Sequence, residues 1–268
     1  HDAALGIMTT DTRPKLASVT VQTDDGREYH IAGIAKGSGM IAPNMATMLS
    51  VIVTDAALET DQAYLHLRQA SDSSFNRIVV DGEMSTNDTV LLLANGASGV
   101  SIASAREQAA FLEALTEVSQ SLAQRIVRDG EGVTKFITLW ITEAPDQESA
   151  LKIANTIATS PLVKTAFYGG DANWGRIVAA AGRAGVPLQP EQMRLWMASG
   201  QGGESPDDRL LLYSEGVPTD YSEEAATGIM RSDDITVWLS CGSGAAAAVI
   251  WTCDLSHDYV SINGHYRS

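Results

Sequence analysis

Features common in nucleic-acid-binding and membrane proteins are scarce in this chain of 268 residues. It has 18 basic and 33 acidic residues, which gives a formal net charge of −15. The basic residues form no cluster in the sequence that could follow a phosphate backbone. The sequence also contains no run of about 18 uncharged apolar residues, the length that a membrane-spanning helix needs. We therefore expect neither a nucleic acid nor a membrane among its partners.

Cysteine is rare, because only Cys241 and Cys253 occur, both in apolar contexts near the C-terminus. This usage predicts two free thiols in a reducing cytoplasm rather than a disulfide. The first residues have neither the basic stretch nor the long apolar stretch of a secretory signal. The chain starts without methionine and a strand-like segment follows almost at once, so we expect further residues before His1.

Several short motifs of catalysis are missing from the sequence. It has no Gly-x-x-x-x-Gly-Lys-Ser/Thr phosphate loop, no His-Glu-x-x-His zinc pair and no Gly-x-Ser-x-Gly nucleophile elbow. None of its five histidines stands at metal-ligand spacing with a cysteine. We predict that the protein has no metal and no resident cofactor.

The hydrophobic pattern predicts a mixed α/β protein. Apolar runs bounded by turn residues predict strands at 17–22, 30–35, 49–54, 77–80, 90–93, 135–141, 210–213, 235–239 and 247–253. Helical periodicity predicts helices at 61–71, 105–127, 147–158, 174–184 and 190–198. Strands often stand in pairs between helices, which favours a layered α/β or α+β architecture over a simple parallel sheet. The best linker candidate is 143–147, which divides the chain into residues 1–145 and 146–268.

The segment Lys36-Gly-Ser-Gly-Met-Ile-Ala-Pro-Asn-Met-Ala-Thr47 connects two predicted strands. One interpretation is a tight glycine-rich connection without chemistry. In the other, the hydroxyl of Thr47 attacks the carbonyl of Ala46, an N→O shift gives an ester, and hydrolysis frees Thr47 as a new N-terminus. Its α-amine, with a reference pKa of roughly 7.7–8.0, could then act as base for its own hydroxyl. On these residues alone, both interpretations stay open.

The same segment resembles the self-cleavage motif of the ornithine acetyltransferase family, also called glutamate N-acetyltransferase, a bifunctional family of arginine biosynthesis. Further blocks agree with that family in a consistent order over nearly the whole chain. They are Met8-Thr-Thr-Asp-Thr12, Ser74-Phe-Asn-Arg-Ile-Val-Val-Asp81-Gly, Ser85-Thr-Asn-Asp88, Asp129-Gly-Glu131-Gly, Ser160-Pro-Leu-Val-Lys-Thr165, Gly170-Asp-Ala-Asn-Trp-Gly-Arg176, Cys253-Asp-Leu and Tyr259-Val-Ser-Ile-Asn263.

The resemblance implies an acyltransferase that moves an acetyl group from N2-acetylornithine to glutamate. The mechanism would be ping-pong, through an acetyl ester on the substrate-binding nucleophile Thr47. Some members of the family also accept acetyl-CoA as acetyl donor. Cleavage between Ala46 and Thr47 would leave an α-chain remainder, residues 1–46, and a β chain that starts at 47. Two α and two β chains would assemble as a cytoplasmic heterotetramer.

The resemblance also implies substrate-binding roles for Thr9, Lys36, Glu131, Asn263 and Ser268. The family often has threonine at the last of these positions, and serine keeps the hydroxyl. The oxyanion hole of the family is a Thr-Gly pair well upstream, and residues 1–46 contain no equivalent pair. The site of this chain is therefore expected to need residues that precede it.

Four further residues, Asp81, Asp88, Asp171 and Asn173, match family positions at glycine-rich turns. Such oxygen-bearing side chains are also the ligands of hard cations. At turns, however, they more often hydrogen-bond their own backbone. The prediction for these residues is turn formation without a metal.

By resemblance, the fold is a layered α/β sandwich with two sheets between helices, plus a smaller second α/β lobe. Residues 1–145 would form the catalytic lobe, and residues 146–268 the second lobe with a C-terminal tail that returns to the active site. Two other functions stay open. One is an N-terminal-nucleophile amidase or aminopeptidase on the same scaffold, in which water resolves the acyl-enzyme. The other is an uncleaved, non-catalytic binding protein.

Overall fold

The computed structural model describes residues 1–42, 48–201 and 208–265. The helices in these ranges are α1 (Asp2–Gly6), α2 (Thr60–Asp72), α3 (Ala105–Arg128), α4 (Gln147–Ala158), α5 (Pro161–Tyr168), α6 (Trp174–Gly182), α7 (Glu223–Met230) and α8 (His257–His265). The strands are β1 (Lys15–Gln22), β2 (Glu28–Lys36), β3 (Leu49–Thr54), β4 (Thr89–Ala94), β5 (Phe136–Ala144), β6 (Arg194–Ser199), β7 (Leu210–Ser214), β8 (Val217–Pro218), β9 (Asp234–Ser240) and β10 (Ala246–Cys253). Short 3-10 helices span Phe75–Arg77 and Pro190–Gln192. None of the described helices is long and apolar enough to cross a membrane.

The chain divides into two compact units, and the first comprises His1–Ile78 with Glu83–Gly130. Its four-stranded sheet has the order β1-β2-β3-β4, in which β3 and β4 are parallel and the other neighbours antiparallel. Helix α3 packs across β1 and β2. A side chain on Gly33 would bring its Cβ within 2.9 Å of Leu122 Cδ1, so the glycine allows the helix to approach the strand closely.

Helix α3 owes its length to a well-formed start and a continuous apolar stripe. Ser104 and Glu107 form a capping box, in which each side chain bonds the other residue's backbone N–H. Positions spaced three and four apart then place apolar side chains on one face, the spacing of an amphipathic helix. The buried members of this stripe are Phe111, Leu115, Val118, Leu122 and Ile126.

The second unit comprises Val79–Gly82 with Glu131–Ser268. Its six-stranded sheet has the order β10-β5-β9-β6-β7-β8, with β5 and β9 parallel and the other neighbours antiparallel. Helix α4 packs against β10 and β5, and its buried Ala150, Ala154 and Ala158 keep the helix close to the sheet. This unit, predicted to be the smaller lobe, carries the larger sheet.

The predicted mixed α/β fold with two sheets and helices is confirmed, but two local predictions are wrong. Residues 190–198 form a short 3-10 helix and strand β6 instead of an α-helix, because β6 is paired on both sides, to β7 and β9. Residues 77–80 are not a strand. Arg77 ends a 3-10 helix, and Val79 makes a backbone hydrogen bond of 3.0 Å to Trp251.

The two compact units divide at Gly130, earlier in the chain than the predicted linker at 143–147. The reason is β5, which begins before that linker, includes its first two residues, and pairs with β9 and β10 of the second unit. The assignment of residues 1–145 as a catalytic lobe and of 146–268 as a second lobe stays a functional prediction.

Candidate active site at one end of the first sheet

The segments that flank Thr47 reach the same end of the first sheet. Strand β2 ends at Lys36, which pairs with Leu49, the first residue of β3. Leu49 also pairs with Thr89, the first residue of β4. Strand β1 begins at Lys15, beside the last residues of β2. We call this end of the four strands the Lys36 end.

The structure places the predicted site residues as follows. Thr9 and Lys36 lie in the first unit, at or just before the Lys36 end, whereas Glu131 and Asn263 belong to the second unit. The predicted nucleophile Thr47, its neighbour Ala46 and the C-terminal Ser268 lie outside the described residues.

Both polar groups of the main chain of Met48, the residue after Thr47, are hydrogen-bonded. Its N–H donates to Asp88 Oδ1 over 2.8 Å, and its carbonyl oxygen accepts from the N–H of Thr89 over 3.1 Å. The Met48 side chain is itself buried. The main chain is therefore well anchored immediately after Thr47.

Lys36 and Asp88 place opposite charges near Met48. Lys36 is only 7% exposed although it ends a strand, and Asp88 is half-buried just before β4. Burial raises the pKa of Asp88, and the hydrogen bond from Met48 and the positive charge of Lys36 only partly offset that increase. The Lys36 end is thus a partly dehydrated environment in which charges interact more strongly than in water.

Asp11 connects the loop before β1 to the segment that follows Lys36. Its Oδ1 accepts from the N–H of Gly37 over 2.8 Å and from Lys15 Nζ over 2.6 Å. Its Oδ2 accepts from the N–H of Thr9 over 3.2 Å. Burial alone would raise the pKa of Asp11, but the hydrogen bonds from Gly37, Lys15 and Thr9 outweigh it and lower the pKa. An ionised Asp11 thereby joins two predicted substrate-binding regions.

Lys15 lies between two carboxylates in the interior of the first unit. Its Nζ is 2.6 Å from Asp11 Oδ1 and 2.6 Å from Asp129 Oδ2, and all three side chains are buried. Asp129 directly follows α3 and also accepts from the N–H of Thr12 over 3.0 Å. We call Asp11, Lys15 and Asp129 the buried triad.

In the second unit, the structure brings together Glu131 and Asn263, two residues predicted to bind substrate. Asn263 Nδ2 donates to Glu131 Oε2 over 2.8 Å, and both residues are accessible to solvent. The loop approaches α8 closely at Gly132, where an added Cβ would lie 2.5 Å from the backbone nitrogen of Tyr259. Gly132 also has a φ of +70°, which favours glycine.

A groove of about 770 Å³ in the first unit does not coincide with the predicted site. It is lined mainly by apolar residues of β1, β2, β3 and α3, and none of the four predicted site residues that the structure describes lines it. Among residues 1–42, 48–201 and 208–265, no group of three or more His, Cys, Asp or Glu side chains is arranged to hold a metal ion.

Comparison with known proteins identifies the family. The sequence profile of the ArgJ family matches residues 1–268. The chain belongs to the ArgJ family. Similar ArgJ proteins include the mitochondrial arginine biosynthesis bifunctional protein ArgJ of Fusarium vanettenii, which is 47% identical over all of this chain and 62% of its own length. The arginine biosynthesis bifunctional protein ArgJ of Chlorobaculum tepidum is 48% identical over all of this chain and 63% of its own length.

The fold is also that of a solved ArgJ protein. The crystal structure of the arginine biosynthesis bifunctional protein argJ from Bacillus halodurans aligns with a TM-score of 0.72 and 35% identity, over 79% of this chain and 96% of that chain. In sequence, the present chain spans about three fifths of the length of the curated ArgJ relatives described above.

Sequence reasoning did not assign the residues that organise the Lys36 end. The sequence places Asp11 and Asp129 in ArgJ-like blocks without giving them a role, gives Lys15 no role, and predicts that Asp88 forms a turn. The sequence offers one signal, because Asp11 and Lys15 are opposite charges four residues apart, just before the strand predicted at 17–22. Their pairing with Asp129, more than a hundred residues later, has no signal in a single sequence.

Proposed function

We propose that this ArgJ chain transfers an acetyl group from N2-acetylornithine to glutamate, with Thr47 as nucleophile. Thr47 becomes an N-terminus when its hydroxyl attacks the Ala46 carbonyl, the peptide C–N bond breaks in an N→O shift, and water hydrolyses the ester. The products are an α chain ending in the Ala46 carboxylate and a β chain whose free amine is that of Thr47.

In the transfer reaction, Thr47 Oγ attacks the acetyl carbonyl while its own amine takes the hydroxyl proton. The amide C–N bond breaks, ornithine leaves with a proton on its α-nitrogen, and an acetyl ester remains on Thr47. The amine of glutamate then attacks the ester carbonyl. The ester C–O bond breaks, N-acetylglutamate leaves, and a proton lost from the glutamate nitrogen passes to Thr47 Oγ.

The observation that carries this proposal is the convergence of both flanks of Thr47 on the Lys36 end. Lys36 ends β2 there, Met48 precedes β3 there, and the Asp11 carboxylate binds both the Thr9 N–H and the Gly37 N–H. A buried ammonium such as that of Lys36 suits a substrate carboxylate, because both N2-acetylornithine and glutamate carry one. Thr9 would bind substrate beside it.

We further propose that Glu131 binds the side-chain amine of ornithine and that Asn263 orients Glu131. Their hydrogen bond of 2.8 Å leaves the second carboxylate oxygen of Glu131 available to accept from a substrate ammonium group. Ser268 is proposed to contact substrate through its hydroxyl. Acetyl-CoA remains a second candidate acetyl donor, and neither donor requires a metal.

The variant Thr47→Ala tests both halves of the proposal. We expect intact mass measurement of the purified wild type to give two chains divided between Ala46 and Thr47, and the variant to give one uncut chain without acetyl transfer. Acetyl transfer by Thr47→Ala, or a single uncut species in active wild-type protein, would contradict the nucleophile assignment.

The same preparation distinguishes a transferase from a hydrolase. N2-acetylornithine is incubated with and without glutamate, and released ornithine is measured. A transferase releases ornithine continuously only when glutamate accepts the acetyl group. Release at the same rate without glutamate would instead favour an amidase on the same scaffold.

The assembly and location are proposals of the same kind. Two α and two β chains form the proposed heterotetramer, which light scattering coupled to size exclusion would reveal as about twice the mass of one αβ pair. A cytoplasmic location is proposed from the two free cysteines, which suit a reducing compartment, whereas the similar Fusarium ArgJ is named mitochondrial.

A further inference from the structure

A new N-terminal nucleophile needs an anchor, because a free chain terminus is poorly ordered unless something ties it down. We propose that Asp88 is a positioning residue for the reaction: through the N–H of Met48 it fixes the main chain next to Thr47. The inference deepens the proposed function and rests on it, since positioning matters only if Thr47 is the nucleophile.

The geometry places Asp88 at the right point of the chain. Met48 becomes the second residue of the β chain after cleavage, and its N–H donates to Asp88 Oδ1 over 2.8 Å. The next residue of the Asp88 segment, Thr89, donates its N–H to the Met48 carbonyl over 3.1 Å. Together the two bonds hold both polar groups of the Met48 main chain, while burial holds its side chain.

These contacts extend the parallel pairing of β3 and β4 by one residue beyond the strands. In the parallel pairing, Leu49 lies opposite Thr89. If β4 began earlier, a backbone carbonyl before Thr89 would accept from the N–H of Met48, and the Asp88 side chain takes the place of that carbonyl. The contact requires an acceptor oxygen at this position, which a neutral amide oxygen can also supply.

Asp55 provides a matched control within the same sheet. Asp55 directly follows the last residue of β3, so it lies at the opposite end of the sheet from Met48. Its Oδ1 accepts a hydrogen bond from the N–H of His30 over 2.7 Å. Asp55 and Asp88 therefore make the same kind of side-chain-to-backbone bond in the same unit. Only Asp88 makes it beside the nucleophile.

The experiment compares Asp88→Asn, Asp88→Glu and Asp88→Ala in the complete natural protein, with Asp55→Asn and Asp55→Ala as controls. Asparagine keeps an acceptor oxygen at the same position but loses the charge, whereas glutamate keeps the charge but shifts the oxygen by one methylene. Rates of self-cleavage and the kcat and KM for N2-acetylornithine are measured. This pair of variants separates position from charge even if Asp88→Ala fails to fold.

We expect Asp88→Asn to keep kcat within about threefold of the wild type, and Asp88→Glu and Asp88→Ala to lower it at least about tenfold, because small misplacements of reacting groups are costly. KM should change less than about threefold, and the Asp55 variants should keep the wild-type kcat. The inference is overturned if Glu retains kcat while Asn loses it, if every Asp88 variant keeps kcat, or if Asp55→Ala lowers kcat as much as Asp88→Ala.

A second readout does not depend on catalysis. Hydrogen exchange of the Met48 amide should be slow in the wild type and in Asp88→Asn, and faster in Asp88→Glu. Unchanged exchange in Asp88→Glu would also overturn the inference. If the wild-type protein transfers no acetyl group, the proposed function fails. If it does and the order of the variants is reversed, only the role of Asp88 fails.

Discussion

Lys15 illustrates how a single residue can depend on partners far away in the chain. Its ammonium is buried between the carboxylates of Asp11 and Asp129, so the first unit holds one positive and two negative charges away from water. Dehydrating charges costs several kcal/mol per ion, and only close pairing with further hydrogen bonds offsets that cost. The backbone N–H groups of Gly37 and Thr12 supply such bonds to the two carboxylates.

We predict that Lys15→Met strongly destabilises the protein, because it leaves two buried carboxylates facing each other without a cation. The expected loss in free energy of unfolding is about 3–5 kcal/mol, measured by chemical denaturation. Arg106→Met is the control in the same unit, since Arg106 pairs with Asp24 at the exposed surface. That pair should contribute at most about 1 kcal/mol. Equal losses in the two variants would show that the triad does not stabilise the unit.

Among the secondary-structure elements, β6 shows where local pattern and tertiary pairing disagree. The stretch around it contains residues that favour helices, such as Glu191, Met193 and Leu195. In the folded chain, Leu195 and Met197 are two residues apart on β6 and both are buried, and both edges of the strand are paired. Backbone pairing on two sides and burial of alternate residues outweigh a helix propensity that amounts to fractions of a kcal/mol per residue.

The turn between β9 and β10 depends on a glycine in a crowded position. Gly242 has a φ of +64°, and an added Cβ would lie 2.5 Å from the carbonyl oxygen of Gln192. Gly185, in the same unit, has a φ of +72° but nothing within 4 Å of the added Cβ. The two glycines therefore share the backbone conformation and differ in their surroundings.

Substituting alanine at each position should separate backbone strain from crowding. Gly185→Ala is expected to cost about 1–2 kcal/mol in free energy of unfolding, the cost of a left-handed conformation. For Gly242→Ala we expect a further loss of about 1–3 kcal/mol, because the Gln192 backbone must shift. Denaturant titration of both variants measures the difference, and similar losses would indicate that the Gln192 segment moves freely.

At the scale of the whole molecule, the proposed cleavage would leave the two chains held together within the first unit. Strand β2 belongs to the α-chain remainder, and its antiparallel neighbour β3 belongs to the β chain. The buried triad also spans the cut, because Asp11 and Lys15 precede it and Asp129 follows it. Cleavage then changes the covalent chain without removing the backbone pairing or the ion pairs between its products.

The two thiols provide a test of folding in the second unit. Cys241 and Cys253 are both buried, and burial with the nearby charge of Glu143 raises the pKa of Cys241 to about 11. The thiolate is the reactive form, so we expect no rapid reaction with a thiol reagent at about pH 8 in the native protein. After denaturation both thiols should react. Rapid modification of either cysteine in the native protein would contradict the burial described for it.

The candidate site remains a prediction, but parts of its geometry agree with what the sequence suggests. The resemblance predicts that Lys36 and Thr9 bind substrate, and both lie at or near the Lys36 end. It predicts the same of Glu131 and Asn263, and these two are hydrogen-bonded to each other. Thr47 itself stays a prediction. The roles of Asp11, Lys15, Asp88 and Asp129 could not be predicted, because each depends on a partner that only strand pairing or the end of α3 brings near.

The amino-acid sequence by itself determined the family, the mixed α/β class, most of the strands and the candidate nucleophile, because motif identity and hydrophobic periodicity are properties of neighbouring residues. Only the tertiary structure decided that 190–198 contains a strand, that the units divide at Gly130, and that Asp88 binds the residue beside Thr47. These features arise from backbone pairing and burial between distant segments. Their free energies appear only when the chain has folded, and they then outweigh local preference.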